Sequence, residues 1–165
     1  MIRRGDTLRW MYRSGRPNRV AAVLNRWWAV LGSTGVWPGR LATLEVRGRR
    51  SGQVISLPVV PVAYAGERFL VAMLGEHTSW VRNVRAAGGR AVLHHGDAEP
   101  VRLEEIEPST RAPILRRYLE IAPGGRSHIP VDRRAPLAEF ERVAARFPVF
   151  RIHRNTASPP ASTAR

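Results

Sequence analysis

Residues 41–64 read LATLEVRGRRSGQVISLPVVPVAY, and their pattern decides the fold class. Leu41, Thr43, Glu45 and Arg47 alternate with Ala42, Leu44 and Val46, a period of two that predicts a half-buried strand. Gly48-Arg49-Arg50-Ser51-Gly52 then breaks the alternation and predicts a turn. Residues 54–64 are rich in Val and Ile and predict a second extended segment. Pro58 and Pro61 confine that segment to edge or bulged geometry, because proline donates nothing to a ladder.

Working outward, Ala65-Gly66-Glu67 predicts a hairpin turn leading into a strand over residues 68–73. After a loop, Ser79 is placed to cap a short helix running to residue 87, with Trp80, Val84 and Ala87 on one face and Gly88-Gly89 as its stop. Strands are predicted over residues 90–95 and 99–106, joined by a tight turn at Gly96-Asp97. A helix over residues 108–121 turns Ile114, Leu115, Tyr118 and Leu119 inward. A loop over 122–134 leads to a helix over 136–146, for which Pro136 is a suitable first-turn residue, and residues 149–153 form the last strand. About six strands with three or four helices, and no regular alternation of strand and helix, exclude a doubly wound parallel sheet. The expected fold is mainly β: a largely antiparallel barrel with flanking helices outside it.

The ends read differently. Asn18 is placed to cap an amphipathic helix over residues 19–31, with Val20, Val23, Leu24, Trp27, Trp28 and Leu31 at helical spacing. Residues 1–40 are therefore expected to be a basic segment carrying that helix, 41–154 the barrel, and 155–165 a disordered tail of Ser, Pro and Ala. The apolar run from Val20 to Leu31 is interrupted by Asn25 and Arg26 and falls short of the roughly twenty residues a spanning helix needs. It also fits a signal peptide poorly. The expected location is cytoplasmic, with peripheral attachment at the inner face of the membrane left open.

At 165 residues and 18.5 kDa the chain has the size of one domain. Without cysteine it makes no disulfide, thiolate metal site or cysteine nucleophile. All 27 basic residues are arginine, set against 13 acids. Residues 1–40 hold eight Arg and one acid (+7), 41–106 eight Arg and seven acids (+1), and 107–165 eleven Arg and five acids (+6). Such a field favours anionic partners: a phosphorylated cofactor, lipid headgroups or nucleic acid. Nucleic acid is the weakest of these, because the strands between 41 and 106 carry only Tyr64 and Phe69 as aromatics and their charge is nearly balanced.

The common catalytic signatures, G-x-S-x-G, G-x-G-x-x-G, a Walker lysine and H-E-x-x-H, are missing. The histidines, at 77, 94, 95, 128 and 153, do not form a metal-ligand set, and adjacent His94 and His95 would point to opposite faces of a strand. Two features do suggest a site. The turn at 48–52 puts two guanidinium groups and a hydroxyl between glycines that let the backbone turn tightly and expose its N–H groups, an anion cradle. Residues 73–83 place a loop and a helix N-terminus directly after a strand, offering N–H groups at Ser79 and Trp80 beside an indole. Trp80 on its own reads equally well as a core tryptophan.

Gly48-Arg49-Arg50-Ser51-Gly52 followed by Pro58, a strand hairpin, and Ser79-Trp80-x-x-Asn83 before Arg85-Ala86 resembles the deazaflavin-dependent nitroreductase and quinone reductase family. The closing Pro148-Val149-Phe150-Arg151-Ile152 extends the likeness, as do Trp10-Met11-Tyr12-Arg13 and His128-Ile129-Pro130-Val131-Asp132. The resemblance implies a split β-barrel, similar to FMN-binding split barrels, that binds the deazaflavin coenzyme F420, with FMN as the alternative cofactor. It places the coenzyme's phosphate and acidic tail against Arg49, Arg50, Ser51 and Gly52. The ring would lie over Ser56 and Pro58, against Ser79 and Trp80, with Asn83 in support. It implies hydride transfer to a quinone, nitroaromatic or similar hydrophobic acceptor. Such chemistry belongs to the cofactor and needs no triad, so no catalytic residue is assigned. Tyr12, Tyr118 and His128 are candidates for the acceptor pocket or for proton donation, each with an ordinary structural role as the competing reading. An anionic membrane surface and a homodimer are the further partners considered. A non-catalytic flavin or deazaflavin carrier is the rival function.

Overall fold

The computed structural model describes residues 38–155. The helix expected over residues 19–31, Tyr12, and the tail after Asn155 lie outside the described residues. The alternation at residues 41–47 becomes strand β1 (Ala42–Arg47), in which Ala42, Leu44 and Val46 are buried and Arg47 is exposed. It pairs antiparallel with β2 (Val54–Val59) across the Gly48–Gly52 turn, Arg47 opposite Val54 and Ala42 opposite Val59. The remaining strands are β3 (Val62–Tyr64), β4 (Glu67–Val71), β5 (Arg90–His95), β6 (Asp97–Glu105) and β7 (Val149–Arg154). Among the described residues the helices are α1 (Ser79–Ala86), α2 (Ala112–Ile121) and α3 (Leu137–Val143).

Among the described residues the strands number seven rather than about six, because the segment at 54–64 is broken at Val60 and Pro61 into β2 and β3. Sheet order is β2-β1-β5-β6-β7-β4-β3, with every pairing antiparallel. Thus β2 and β3 are the two edges of the sheet, yet only two residues join them. A chain that short cannot cross a flat seven-stranded sheet, where neighbouring strands stand about 4.8 Å apart. The sheet must therefore roll until its edges meet, without a ladder between them: a split barrel. The prolines sit where that geometry tolerates them, Pro58 in an edge strand and Pro61 in the break.

Two cores follow from the roll. Inside the barrel, Leu44, Val46, Leu57, Leu70, Leu93, Val101, Leu103, Phe150 and Ile152 pack against Trp80, Val81 and Val84 of α1. Outside it, Phe69 and Val71 of β4 and Val149 of β7 pack against Ile114, Leu115 and Leu119 of α2 and Phe140 of α3. Strand β4 thus serves both cores by its pleat, with Phe69 and Val71 on one face and Leu70 on the other. The predicted inward set of α2 is buried as expected.

Several boundaries move. Strand β6 begins at Asp97, because only Gly96, at φ 89°, turns the chain between His95 and Asp97. The helix expected from residue 108 opens as a 3-10 turn (Pro108–Thr110) before α2, and the one expected to reach residue 146 ends as α3 at Val143, followed by a 3-10 turn (Ala144–Arg146). Pro136 is the N-cap of α3 rather than its first residue. Gly89, at φ 82°, closes α1 against β6: Leu103 N–H donates to its carbonyl at 2.8 Å, and a Cβ there would collide with the Leu103 backbone.

Candidate functional site

The Gly48–Gly52 turn closes on itself. Gly48 N–H donates to Gln53 O at 2.7 Å and Gly52 N–H to Gly48 O at 2.9 Å, while Gln53 N–H donates to Ser51 Oγ at 3.2 Å. Gly48 packs closely within the turn: a Cβ there would stand 2.7 Å from Ser51 Oγ and 3.0 Å from Ile55 Cδ1, so both side chains would have to move aside. The turn is expected from sequence to expose its backbone N–H groups; those of Gly48 and Gly52 instead hold the turn together. The donors that remain include the exposed guanidinium groups of Arg49 and Arg50 and the Ser51 hydroxyl hydrogen. Arg50 has no acidic partner among the described residues, and an open groove of about 500 Å3, lined by the turn, Arg47 and the C-terminal end of α1, receives these groups. The arrangement fits an anionic group.

Arg49 is tied to the helix. Its backbone N–H donates to Asn83 Oδ1 at 3.2 Å and its Nη1 donates to the same oxygen at 2.9 Å. Asn83 is 2 % exposed, so the anchor is itself buried in α1. Three residues earlier on α1, Trp80 turns into the barrel, its ring 5.5 Å from Phe150, and lines an apolar cleft with Leu57, Pro58, Leu74 and Tyr118. Trp80 is both the core residue and the cleft wall, so neither sequence reading displaces the other. The cleft encloses about 40 Å3.

Thr78, not Ser79, is the N-cap of α1, and Ser79 is the exposed first residue of the helix. The Thr78 hydroxyl donates to Gly75 O at 3.0 Å, so the N-cap side chain makes no bond to the first-turn N–H groups. Ser56 is buried in β2 but does not line the cleft that Pro58 reaches. Of the candidates, then, Arg49 meets Asn83, Pro58 meets Trp80, Arg50, Ser51 and Gly52 share the turn, and Ser56 and Ser79 stand apart.

Tyr118 lies at the back of the cleft, its hydroxyl donating to Met73 Sδ at 3.2 Å. Burial pushes its phenol well above the usual range, so it keeps its proton. His128 is exposed on a neighbouring groove. His94 and His95 do face opposite ways, one 3.0 Å from Glu45 Oε2 and the other with Nε2 2.8 Å from Gly39 O.

Behind the site stands a network that the sequence did not single out. Arg85 of α1 grips Glu105 with two donors at 2.9 and 2.8 Å, and buried Arg111 donates to the same carboxylate at 3.2 Å. Arg85, and then Arg111, holds the Glu105 carboxyl below its usual range. Arg111 also donates to the carbonyls of Ile106, Ala144 and Phe147. Nothing in the spacing distinguishes it from the chain's other arginines.

A family model described as F420H(2)-dependent quinone reductase matches residues 20–137. No curated protein matches the chain. Among solved structures, the chain is similar to an F420-H2 dependent reductase (FDR-A), at 22 % identity and TM-score 0.46 over 69 % of this chain and 94 % of that one. It is also similar to a protein described as a domain-swapped dimer, at 19 % identity and TM-score 0.48 over 82 % and 100 %. A heme binding protein from Mycobacterium smegmatis matches at 14 % identity and TM-score 0.46 over 86 % and 53 %. With the family match taking in most of the chain, the protein belongs to the F420H(2)-dependent quinone reductase family and is a reductase that uses reduced coenzyme F420.

Proposed function

We propose that the Gly48–Gly52 turn and the Pro58–Trp80 cleft take the two ends of one coenzyme F420 molecule, and that its electrons pass to a flat hydrophobic acceptor, a quinone or a nitroaromatic. The observation that carries this is the double hydrogen bond from Arg49 to Asn83. Because Trp80 sits one helical turn before Asn83, the cationic turn and the apolar wall move as one body. When bound, the reduced coenzyme supplies a hydride. The chain's part is to hold and shield it. Arg49, Arg50 and the Ser51 hydroxyl grip the anionic arm, Asn83 fixes the Arg49 side chain, and Leu57, Pro58, Leu74 and Trp80 keep water from one side of the ring. At about 40 Å3 the cleft is far smaller than the roughly 300 Å3 or more of a pocket that engulfs a small ligand. Rather than engulfing the ring, the cleft would hold it at its mouth through Leu74, which is 43 % exposed. The first-turn N–H groups of α1, beside Trp80, would be the donors for ring oxygens there.

Titration with coenzyme F420 and with FMN, followed by tryptophan fluorescence, tests the cofactor site. F420 should bind the more tightly, and FMN binding without F420 binding would sink the reading. Turnover of menadione and of a nitroaromatic by the protein with reduced coenzyme separates an enzyme from a mere carrier and ranks the two acceptor classes.

The +7 charge of residues 1–40 adds a membrane-surface reading to this one. Among the described residues no helix is long and apolar enough to cross a membrane. Co-sedimentation with anionic phospholipid vesicles should fall when residues 1–40 are deleted and when salt is raised. Unchanged sedimentation of the deleted protein would remove that reading.

A further inference from the structure

Beside the cleft, and sharing Met73 and Leu74 with it, lies a wider groove of about 390 Å3. Its floor is apolar, with Met73, Leu74 and Phe147, and its rim carries His77, His128 and Arg146. A flat ring with an oxygen at one end suits such a shape. The guanidinium of Arg146 stands over the Phe147 ring, 5.5 Å from its centroid, and pairs with no carboxylate among the described residues. A contact with a ring face orients the cation without neutralising it. The acid on this groove, Glu76, is already engaged, 3.8 Å from His77 Nε2 and 3.9 Å from Arg85. His77 is engaged on its other side too, with Nδ1 3.4 Å from Arg82. His128 is thus the rim imidazole with no side-chain partner among the described residues. Tyr118, under the floor, has its hydroxyl committed to Met73 Sδ and its proton held by burial, so it is a poor acid.

We infer that this groove receives the carbonyl end of the acceptor, with Arg146 holding the oxygen on which negative charge develops and His128 supplying the proton that completes the reduction. The inference rests on the quinone-type acceptor proposed above. In the balanced step, a C–H bond of the reduced coenzyme breaks and its hydride, two electrons and one proton, forms an O–H bond at one carbonyl oxygen of the quinone. The charge left on the other carbonyl oxygen is met by Arg146, a proton passes from a His128 ring nitrogen to that oxygen as the O–H bond forms, and a neutral hydroquinone leaves. The coenzyme is left oxidised, its second proton goes to solvent, and His128 regains one from solvent. Preorganised donors aimed at a developing oxyanion act in this way in other enzymes.

The probe is 2-hydroxy-1,4-naphthoquinone, an anion at neutral pH with the shape of the reduced acceptor. Its binding is measured with and without bound coenzyme F420 in wild type, Arg146→Gln and His128→Asn. Both side chains are exposed, so melting temperatures should not change. Arg146→Gln should bind the probe about tenfold more weakly, the loss of one exposed charge-assisted contact, with coenzyme affinity unchanged. In turnover with menadione, Arg146→Gln should raise KM and lower kcat, whereas His128→Asn should lower kcat with KM held. Probe binding by Arg146→Gln at wild-type strength, displacement of the coenzyme by the probe, or loss of coenzyme affinity in either variant would each overturn the inference. Failure of the wild type to bind the coenzyme at all would instead count against the function proposed above.

Discussion

Replacing Arg49 and Arg50 together by alanine is expected to weaken coenzyme F420 binding by about a hundredfold to a thousandfold. Two charge-assisted contacts to an anion, at roughly 1.5–2 kcal/mol each, give that range. The two single variants should differ. Arg50 is tied to no acid among the described residues, so Arg50→Ala removes one cation and leaves the turn as it stands. Arg49→Ala also removes the Nη1 bond to Asn83, leaving the backbone N–H of residue 49 as the link between turn and helix. It should therefore cost more than Arg50→Ala, and Asn83→Ala should weaken binding although Asn83 is buried and need not touch the anion. Fluorescence titration at two salt concentrations measures the set. The wild type should lose affinity with salt more steeply than the double variant, because fewer ionic contacts remain to be screened. Wild-type affinity in the double variant would remove the turn from the site.

Much of this arrangement was legible in residues 41–64. The period of two, the glycine-bounded turn and the two prolines are local signals, and they gave β1, the turn and the edge character of β2 and β3. What they could not convey is that β2 and β3 are opposite edges of one sheet, since roll is a property of seven strands together. Capping failed for a smaller reason. Thr78 and Ser79 are adjacent and both suited to the role, and a shift of one residue at a helix end is finer than local spacing resolves. Of the anion cradle, the guanidinium groups of Arg49 and Arg50 are exposed, whereas the N–H groups of Gly48 and Gly52 are spent inside the turn, because a five-residue turn between paired strands closes on itself. Arg146 and Arg111 stayed hidden for a compositional reason: with 27 arginines and no lysine, charge alone marks no single one.

Arg111→Met is expected to destabilise the protein by about 3 kcal/mol, against the 5–15 kcal/mol of a typical domain. Exchanging a buried ion pair for apolar side chains is often harmless, because the cost of desolvating the charges disappears with them. Here most of what Arg111 binds would remain. The carbonyls of Ile106, Ala144 and Phe147 would lose a donor inside the protein, at roughly 1–3 kcal/mol for each left unsatisfied. Glu105, by contrast, would keep both bonds from Arg85. A chain of this size should lose about 6–12 °C in Tm. The pH dependence tells the two contributions apart. Glu105 has a depressed pKa in the fold, so its stabilisation is present above the unfolded value of about 4.3 and is lost as pH falls through the folded value. Since Arg111 supplies part of that depression, the Tm gap between wild type and Arg111→Met should narrow on acidification. It should not close, because backbone carbonyls do not titrate. A gap that vanished at low pH would assign the effect to the carboxylate and leave Arg111 no separate part in joining the end of β6 to the turn that carries Arg146 and Phe147.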